Sequence, residues 1–407
     1  MRVLFLTNLL PYPLDNGGKI NTYTKVVALK KGGHSVDLVC FKESQNKGFE
    51  YAKHMRQYCE GVYQIYLRLT TTENKLYMIR MALQSLLSHY SFGVYKYKSK
   101  EMEHLLRNLS GKYNYECIYF DHLQMFIYEP LIKKLWPKAK AIIDEHNCET
   151  VIMQRNAAVS ANLIKKAFLT IEARKLARFE NESISKADKT IVLSEADQRA
   201  LEKQLGKKFP LIIIPNRVAE TNKIKKTNEQ VSDKLRIMFV GTMTWEPNNS
   251  GILWFMDNVY RKILETNQNI ELYVVGKNPS IQVIGLAKTL RNITVTGYVD
   301  SVDPYYEMCD LMVVPLFVGS GQRIKIIEAF SRKMPVVSTT IGAEGLVYQN
   351  GESILIADDI DHFIDAIEKL NDYELRCKIA CNARRNYDKF YSTEAIGQQF
   401  NRIFDKL

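Results

Sequence analysis

The sequence has no apolar run that approaches the roughly 20 residues needed to cross a bilayer, and its first residues, "MRVLFLTNLLPYP", lack the small-residue cleavage site of a secretory signal. Its seven cysteines are odd in number and scattered, without a Cys-x-x-Cys pair, which argues against a disulfide framework and against a zinc site. We therefore expect a cytoplasmic protein with reduced thiols, with a peripheral position at the inner face of the membrane as the alternative.

Low-complexity tracts, long proline runs and repeats of fixed period are also missing, which excludes a disordered or solenoid chain. No helix-turn-helix, RRM or zinc-finger pattern is present and the basic residues are dispersed, so no nucleic-acid partner is expected. The net charge of +11, from 56 Lys plus Arg against 45 Asp plus Glu, still permits attraction to anionic lipid or to phosphorylated substrates.

Short apolar runs alternate with helix-length segments, a pattern typical of α/β proteins with doubly wound parallel sheets. The pattern extends from "RVLFLTN" to "KTIVLSE", stops at the polar "AETNKIKKTNEQVSDK", and restarts from "LRIMFVG" to "SILIAD". At 407 residues the chain also exceeds the size of one core. We predict two Rossmann-like domains, residues 1–207 and 208–389, with a helix over residues 390–407 that packs back on the first.

In the first half, polar residues follow two predicted strands. Gly17 and Gly18 precede a predicted helix whose first amides favour an anion; a flexible strand-to-helix loop is the alternative, and the absence of GxGxxG argues against a dinucleotide. The segment "IIDEHN" places Asp144, Glu145, His146 and Asn147 at the carboxyl end of a strand. Charged groups there are costly unless solvated or used, so we expect them to converge on a site.

The second half carries the densest group of functional residue types. In "GSGQRIKIIEAF", residues 319–330, two glycines precede Arg323 and Lys325 near the start of a predicted helix, an arrangement that suits a diphosphate. Glu328 follows within the apolar "KIIEAF", where a carboxylate needs donors such as ribose hydroxyls. A solvated helix face is the alternative for the two cations, but it does not explain Glu328.

Residues 72–112 are helical by period and mix Met, Leu and Tyr with scattered Lys and Arg. Helices packed on the first sheet are one interpretation, because an amphipathic stripe usually faces a core. A basic, aromatic surface that rests on anionic membrane is the other.

Taken together, these segments resemble the retaining GT-B glycosyltransferases usually called family 4, over nearly the whole chain. The segments that carry the resemblance occur in the family's order: "NGGKINTYTKVVALKKGGHSVDLV", "RFENESISKADKTIVLSEADQRAL", "IIPNRV", "FVGTMTWEPNNSGILWF", "LYVVGKNP", "NITVTGYVDSVDPYYEMCDLMVVPL", "GSGQRIKIIEAFSRKMPVVSTTIGAEGL" and "FYSTEAIGQQFNRIF". The resemblance implies a GT-B fold, two Rossmann-like domains facing a cleft, with the acceptor on the first domain, the nucleotide-sugar donor on the second, and no cofactor.

The resemblance also implies roles for single residues. Glu328 matches the glutamate that holds the nucleotide ribose, His146 matches a histidine that faces the donor sugar, and Gly17 with Gly18 matches a glycine loop near the phosphates. The further donor-binding positions that we predict are Gly241, Thr242, Tyr298, Val299, Gly319, Ser320 and Gly321.

The sequence departs from the family pattern at two places. Ser320 stands where many members carry a first glutamate, and "GTMTWEPNNSG" lacks the usual basic pair. We therefore expect Arg323 and Lys325 to stabilise the leaving group, and with His146 they are the candidate catalytic residues. No aspartate pair predicts a metal site, and the resemblance implies an enzyme that works without one. Cationic side chains and a helix start can supply the stabilisation that a metal otherwise provides.

We predict a metal-independent retaining transfer of a hexosyl or amino-sugar residue from a nucleotide-diphosphate sugar to a cell-envelope glycan, lipid-linked or polysaccharide acceptor. The close alternative is a nucleotide-sugar epimerase or hydrolase on the same scaffold, because fold does not fix the reaction. Such an enzyme needs carboxylates as acid and base, for which Asp144 and Glu145 are the candidates. A second alternative, without catalysis, is a basic protein that binds membrane or nucleic acid.

Overall fold

The structure, a computed structural model, describes residues 1–14, 17–42, 48–67, 75–160, 162–206, 208–216, 234–319 and 322–405. Contacts divide the chain into two units, Met1–Asn216 with Ile396–Leu407, and Arg217–Ala395. The sequence placed the first boundary at residue 207, whereas the first unit continues to residue 216. The chain rejoins the first unit at Ile396, where the sequence placed this return at residue 390.

The first unit contains seven described strands, which we number in chain order. They are β1 (Arg2–Thr7), β2 (Ser35–Lys42), β3 (Gly61–Tyr66), β4 (Cys117–Asp121), β5 (Lys140–Glu145), β6 (Lys189–Val192) and β7 (Leu211–Ile213). The six described strands of the second unit are β8 (Leu235–Val240), β9 (Ile270–Val275), β10 (Ile293–Gly297), β11 (Leu311–Val314), β12 (Val336–Ser338) and β13 (Leu355–Ile356).

Helices alternate with these strands along the described residues. In the first unit they are α1 (Gly17–Lys31), α2 (Gly48–Met55), α3 (Lys75–Leu87), α4 (Phe92–Tyr95), α5 (Lys100–Ser110), a 3-10 helix (Leu123–Tyr128), α6 (Glu129–Leu135), α7 (Glu149–Val159), α8 (Leu163–Lys186) and α9 (Glu195–Leu205). The second unit continues with α10 (Glu246–Trp254), a π-helix (Phe255–Tyr260), α11 (Arg261–Thr266), α12 (Ile281–Thr289), α13 (Asp303–Met308), α14 (Ile324–Ser331), α15 (Ile360–Lys369), α16 (Tyr373–Phe390) and α17 (Thr393–Phe404).

Each unit is built on one parallel sheet. The first has the order β3-β2-β1-β4-β5-β6-β7 and the second the order β10-β9-β8-β11-β12-β13. The central strands are buried nearly throughout, as in β4 where all five residues are buried, because helices cover both faces. The edge strands β3, β7, β10 and β13 are only partly buried. The α/β prediction is confirmed, and every strand that the sequence predicted is present.

The strand order reverses once in each sheet, between β1 and β4 in the first and between β8 and β11 in the second. Loops on either side of such a reversal leave the sheet in opposite directions and open a crevice at the carboxyl ends of the strands. The loops that follow these four strands are therefore the places to look for a site.

Helix α17 returns the chain to the first unit. Phe400 and Phe404 lie against Tyr119 of β4, with ring centroids 5.6 and 6.5 Å apart, and both are buried. Gly32 allows the close approach, since a Cβ there would lie 2.8 Å from the side-chain oxygen of Asn401.

Residues 72–112 are helical in their described part, as predicted. Helix α5 has a capping serine, Ser99, whose Oγ accepts a hydrogen bond from the amide of Met102 at 3.3 Å, and it buries Met102, Leu106 and Leu109 in the core. Packing on the first sheet is thus the right interpretation for α5. None of the described helices combines the length and the apolar character needed to cross a membrane, and all seven cysteines carry free thiols.

Candidate functional site

A buried cluster of polar side chains lies at the reversal point of the first sheet. The carboxylate of Asp121, at the end of β4, accepts hydrogen bonds from the hydroxyls of Thr7 at 2.6 Å and Thr22 at 2.8 Å, and from His146 Nε2 at 2.8 Å. His122 Nδ1 lies 3.1 Å from the same carboxylate, and its ring stacks on His146 with centroids 3.7 Å apart. Strands β1, β4 and β5 and helix α1 thus all contribute to one site.

His146 is the positively charged member of this cluster. Burial alone would lower the pKa of His146, but the negative charges of Asp121 and Asp144 raise it to about 9. The carboxylate of Asp144 lies 3.7 Å from His146 Nε2. Burial would likewise raise the pKa of Asp121, yet the two imidazoles hold it well below its usual value. At neutral pH the cluster therefore presents an imidazolium held by carboxylates.

The same cluster has the composition of a metal site, because nitrogen and oxygen atoms of Asp121, His122 and His146 lie within 4.8 Å of one another. However, the oxygens of Asp121 already accept several hydrogen bonds, and the two imidazoles are stacked with 23° between their planes. A cation on His146 Nε2 would also have to displace a proton that two carboxylates stabilise. The arrangement favours a protonated histidine over a metal ligand.

Helix α1 connects the predicted glycine loop to this cluster. Gly17 and Gly18 form its first turn, and the buried Lys25, two turns later, donates a hydrogen bond to Asp144. The hydroxyl of Tyr119 donates to the same carboxylate oxygen. Burial opposes the ionisation of Asp144, but Lys25 brings its pKa down to about 2. Asp144 is thus a fixed negative charge.

Glu145 does not join its neighbours in the sequence, which corrects the expectation that Asp144, Glu145 and His146 converge. Successive side chains of a strand point to opposite faces, and Glu145 lies with Glu180 of α8. It is 1% exposed and neither of its carboxyl oxygens has a hydrogen-bond partner among the described residues. Burial, and then the charge of Glu180, raise the pKa of Glu145 well above its usual value.

In the second unit, the loop after β8 is joined to α14 through Asn248. The amide Nδ2 of Asn248 donates to the carbonyl oxygen of Thr242 at 3.0 Å, and its Oδ1 accepts from Lys325 Nζ at 2.8 Å. Gly241 leaves room for this amide, because a Cβ there would lie 2.6 Å from Nδ2. Gly241, Thr242 and Lys325, which are far apart in the sequence, are therefore neighbours.

Arg323 immediately precedes the first residue of α14 and is 7% exposed. Its guanidinium lies against Gly319, where a Cβ would come within 2.5 Å of Nη2, and 5.2 Å from the ring centre of Trp245. Gly319 has φ of 128°, a conformation that requires glycine. The glycine loop, Arg323 and the start of α14 thus form one basic surface. Ser320 and Gly321 lie outside the described residues.

The surroundings of α14 disfavour the charged forms of Lys325 and Glu328. Burial, and next the charge of Arg323, lower the pKa of Lys325 to about 7. Burial also raises the pKa of Glu328, partly offset by Arg332 and by the hydroxyl of Tyr306, which lies 3.5 Å from Oε2. A contact of 3.5 Å is long for a hydrogen bond. A bound anion would stabilise the charged form of Lys325, and hydroxyl donors would stabilise the charged form of Glu328.

Tyr298 and Val299 follow β10, the edge strand that lies two places from β8. Tyr298 is 72% exposed, so its ring offers a free aromatic face at the carboxyl edge of the sheet. The structure places these two residues apart from the Asn248 and Lys325 group, at the far side of the same edge.

Sequence reasoning missed several residues of these sites. Asp121 and His122 end "ECIYFDH" as Asp144 and His146 end "IIDEHN", so the same signal, polar residues after a buried strand, was available. His122 has φ of 77°, which costs a non-glycine residue about 1–3 kcal/mol, and strain of this kind collects at functional sites. Lys25 and Asn248 gave no such signal, because each lies inside a helix.

Comparison with known proteins finds similarity to glycosyltransferases. Residues 234–372 match the family described as glycosyl transferases group 1. The chain is 23% identical over 403 residues, 95% of this chain and 96% of the relative, to "Uncharacterized 44.6 kDa protein in cps region" of Klebsiella pneumoniae.

Three solved structures are similar over the whole chain. Sucrose-phosphate synthase of Thermosynechococcus elongatus has a TM-score of 0.69 at 16% identity, covering 100% of this chain and 98% of that one. HepE of Anabaena, in complex with UDP and glucose, has a TM-score of 0.66 at 14% identity, covering 100% of both chains. The lipopolysaccharide outer core galactosyltransferase WaaB has a TM-score of 0.63 at 12% identity, again over 100% of both.

These likenesses confirm the predicted GT-B fold, and the match over residues 234–372 confirms the predicted resemblance to glycosyltransferases. Membership of family 4 and retention of configuration stay predictions. The enzyme class, a glycosyltransferase, is confirmed by the same match.

Proposed function

We propose that this GT-B glycosyltransferase moves a hexosyl or amino-sugar residue from a nucleotide-diphosphate sugar to a cell-envelope glycan, lipid-linked or polysaccharide acceptor, with retention of anomeric configuration. The second unit takes the donor and the first takes the acceptor.

The observation that carries this proposal is the basic surface at the reversal point of the second sheet. Gly319, Arg323 and Lys325 come together at the start of α14, beside the loop after β8. The negative charge of a diphosphate complements these two cationic side chains, and a helix start favours such an anion. Glu328, three residues past Lys325 on the same side of the helix, suits the ribose hydroxyls.

The known proteins support the chemical class of both substrates. HepE of Anabaena was solved with UDP and glucose, which supports a nucleoside-diphosphate sugar as the donor. WaaB is a galactosyltransferase of the lipopolysaccharide outer core, which supports a cell-envelope glycan as the acceptor. We extend both to this chain.

In the proposed reaction, the bond from the anomeric carbon to the diphosphate oxygen breaks, and its electron pair leaves with the diphosphate. The acceptor oxygen bonds to the same carbon from the same face, and its proton passes to a donor phosphate oxygen. Arg323 and Lys325 stabilise the charge that grows on the leaving group, a role that needs no metal. His146, as an imidazolium, donates a hydrogen bond to a sugar hydroxyl.

The epimerase or hydrolase alternative fits the first unit poorly. Both reactions need carboxylates that exchange protons near the sugar. Asp144 is held ionised by Lys25, and Glu145 lies on the other face of the sheet from His146. Asp144 lies beside His146 but stays ionised near neutral pH, and Glu145 does not lie beside His146.

Incubation with UDP-, GDP- and TDP-sugars, with and without acceptor lipids, tests the proposal. We expect nucleotide release that depends on the acceptor, and a product whose anomeric proton, observed by NMR, has the configuration of the donor. Release that is equal without acceptor indicates a hydrolase, and an inverted product removes the retaining mechanism.

Replacing Glu328 with alanine should weaken nucleotide-sugar binding tenfold or more, since a hydrogen bond to a charged group contributes about 1.5–3 kcal/mol. Titration calorimetry measures the affinity. Glu352→Ala, at an exposed glutamate of the same unit, is the matched control and should bind as the parent does. Parent affinity in a folded Glu328→Ala variant removes Glu328 from the ribose role.

Binding of UDP should be accompanied by proton uptake at Lys325. With a pKa of about 7, this amine is mostly neutral at pH 8, and a bound diphosphate restores its charge. We expect uptake of about one proton per UDP at pH 8 and little at pH 6, where the amine is already charged. Calorimetry in buffers of different ionisation enthalpy measures it, and Lys325→Gln should abolish it; equal uptake in that variant contradicts the assignment.

A further inference from the structure

Helix α3 turns an apolar face toward solvent. Ile79, Leu83, Leu86 and Leu87 recur at the spacing of one helix face, and all four are exposed, Leu87 by 94%. In a globular protein such a stripe normally faces the core. Packing on the sheet, the interpretation that holds for α5, therefore does not account for these α3 side chains.

The first turns of α8 continue this apolar surface. Leu163, Ile164 and Ile171 are exposed, Ile164 by 84%. Lys175, one turn after Ile171 on the same side of α8, donates hydrogen bonds to the backbone carbonyls of Ser85 at 2.7 Å and Leu86 at 3.2 Å. The end of α3 and the exposed face of α8 therefore meet.

These side chains form a patch rather than scattered exceptions. Nine large apolar side chains are exposed in the described part of the first unit, and seven of them are the ones just named on α3 and α8. Single exposed apolar residues are ordinary, but a contiguous group marks a surface that binds something. We call these seven residues, with Arg80, Lys165 and Lys166, the apolar–basic surface.

The exposed charged residues beside the patch on α3 and at the start of α8 are basic, and the nearest acidic residue, Glu172, is buried and paired with Lys175. Residues 75–100 contain five Lys or Arg and no Asp or Glu, and residues 150–171 contain three Lys or Arg and no Asp or Glu. Arg80, Lys165 and Lys166 are exposed beside the apolar residues. Apolar side chains flanked by exposed basic residues are the composition of helices that lie in the interface of an anionic membrane.

We propose that the apolar–basic surface docks the first unit on an anionic lipid bilayer, with Leu83, Leu87 and Ile164 among the acyl chains and Lys165 and Lys166 at the headgroups. A second copy of the chain is a poorer occupant, because a symmetric contact brings like positive charges face to face. The proposal does not depend on the glycosyl transfer, since docking needs neither donor nor acceptor.

Sedimentation with vesicles tests the docking. The full chain is mixed with vesicles of phosphatidylcholine alone or of phosphatidylcholine with phosphatidylglycerol, without any sugar nucleotide. We expect binding only to the anionic vesicles and a loss of binding at high salt. Leu83→Glu/Leu87→Glu and Lys165→Glu/Lys166→Glu should each bind at least about tenfold more weakly.

Matched controls distinguish docking from nonspecific adsorption and from unfolding. Ile281→Glu replaces an apolar residue that is 87% exposed on α12 of the second unit, and it should bind vesicles as the parent does. Circular dichroism and UDP affinity should be unchanged in every variant. Absence of binding to anionic vesicles, or equal binding by Leu83→Glu/Leu87→Glu, overturns the proposal. The proposal is also overturned if light scattering shows that the parent is a dimer and that Leu83→Glu/Leu87→Glu is a monomer.

Discussion

Replacing Arg323 with alanine should lower kcat by on the order of 100- to 1000-fold, equivalent to about 2–4 kcal/mol in the barrier. The guanidinium is buried against Gly319 and adjoins the first turn of α14, where it adds to the positive end of the helix dipole. Its loss leaves the charge that grows on the diphosphate without its main partner. Steady-state rates on the folded variant, with UDP affinity measured alongside, test this.

Two further variants sharpen the Arg323 test. Arg323→Lys should recover only part of the rate, because an ammonium cannot bind two phosphate oxygens at once. Arg291→Ala, at an exposed arginine of the same unit, should match the parent. If Arg323→Ala retains the parent rate and the parent UDP affinity, the residue is part of a strand-to-helix turn and nothing more.

The structure also changes the expectation for Lys325. With its side chain turned to solvent, as on a solvated helix face, Lys325→Ala would cost less than Arg323→Ala. Its Nζ instead donates to Asn248 and lies 4.8 Å from the ring centre of Phe239. That condition is not met, so the Lys325 variant should be clearly impaired as well.

Replacing His146 with alanine should lower kcat by on the order of 100-fold or more, and should change donor KM much less. An imidazolium that gives its hydrogen bond mainly to the transition state produces this split. Because the pKa of His146 is about 9 and bound donor keeps Lys325 charged, the parent kcat at saturating donor should be flat between pH 7 and 8 and fall as pH rises through 9. The stability that this imidazolium provides is complete below pH 6.5 and disappears over the same upper range.

Asp121→Asn separates a catalytic His146 from a structural one. Loss of the carboxylate should bring the pKa of His146 back toward its ordinary value, so the alkaline fall in rate should move to lower pH. His362→Ala, at an exposed histidine of the second unit, is the control and should leave the rate and its pH profile unchanged. Turnover of His146→Ala at the parent rate makes the histidine structural.

The fold was predictable because buried parallel strands are written in continuous apolar runs. β4, with "CIYFD" buried throughout, and β11, with "LMVV", show why: covered on both faces, they need no polar alternation. The sequence did not predict β7, because its three residues after Pro210 are too short an apolar run to indicate a strand. The first unit extends to residue 216 because β7 pairs with β6, and no local sequence pattern indicates this pairing.

The sequence predicted which strand ends form the sites, but not which individual side chains come together there. "DEHN" marks a polar strand end, but whether Asp144 or Glu145 pairs with Lys25 depends on which face of the sheet α1 covers. Lys25 looks like a surface lysine of an amphipathic helix until Asp144 is placed opposite it. Asn248 is one polar residue among several, and its role exists only because Lys325 arrives from 77 residues away.

Helix α17 has a consequence for how the chain folds during synthesis. Residues 1–216 are synthesised before the second unit, whereas Phe400 and Phe404, which cover Tyr119, are synthesised after it. All residues of the second unit, up to Ala395, precede these two aromatic residues in the chain. The first unit therefore cannot bury Tyr119 under α17 until the second unit has been synthesised, although most domains fold in the order in which they are translated.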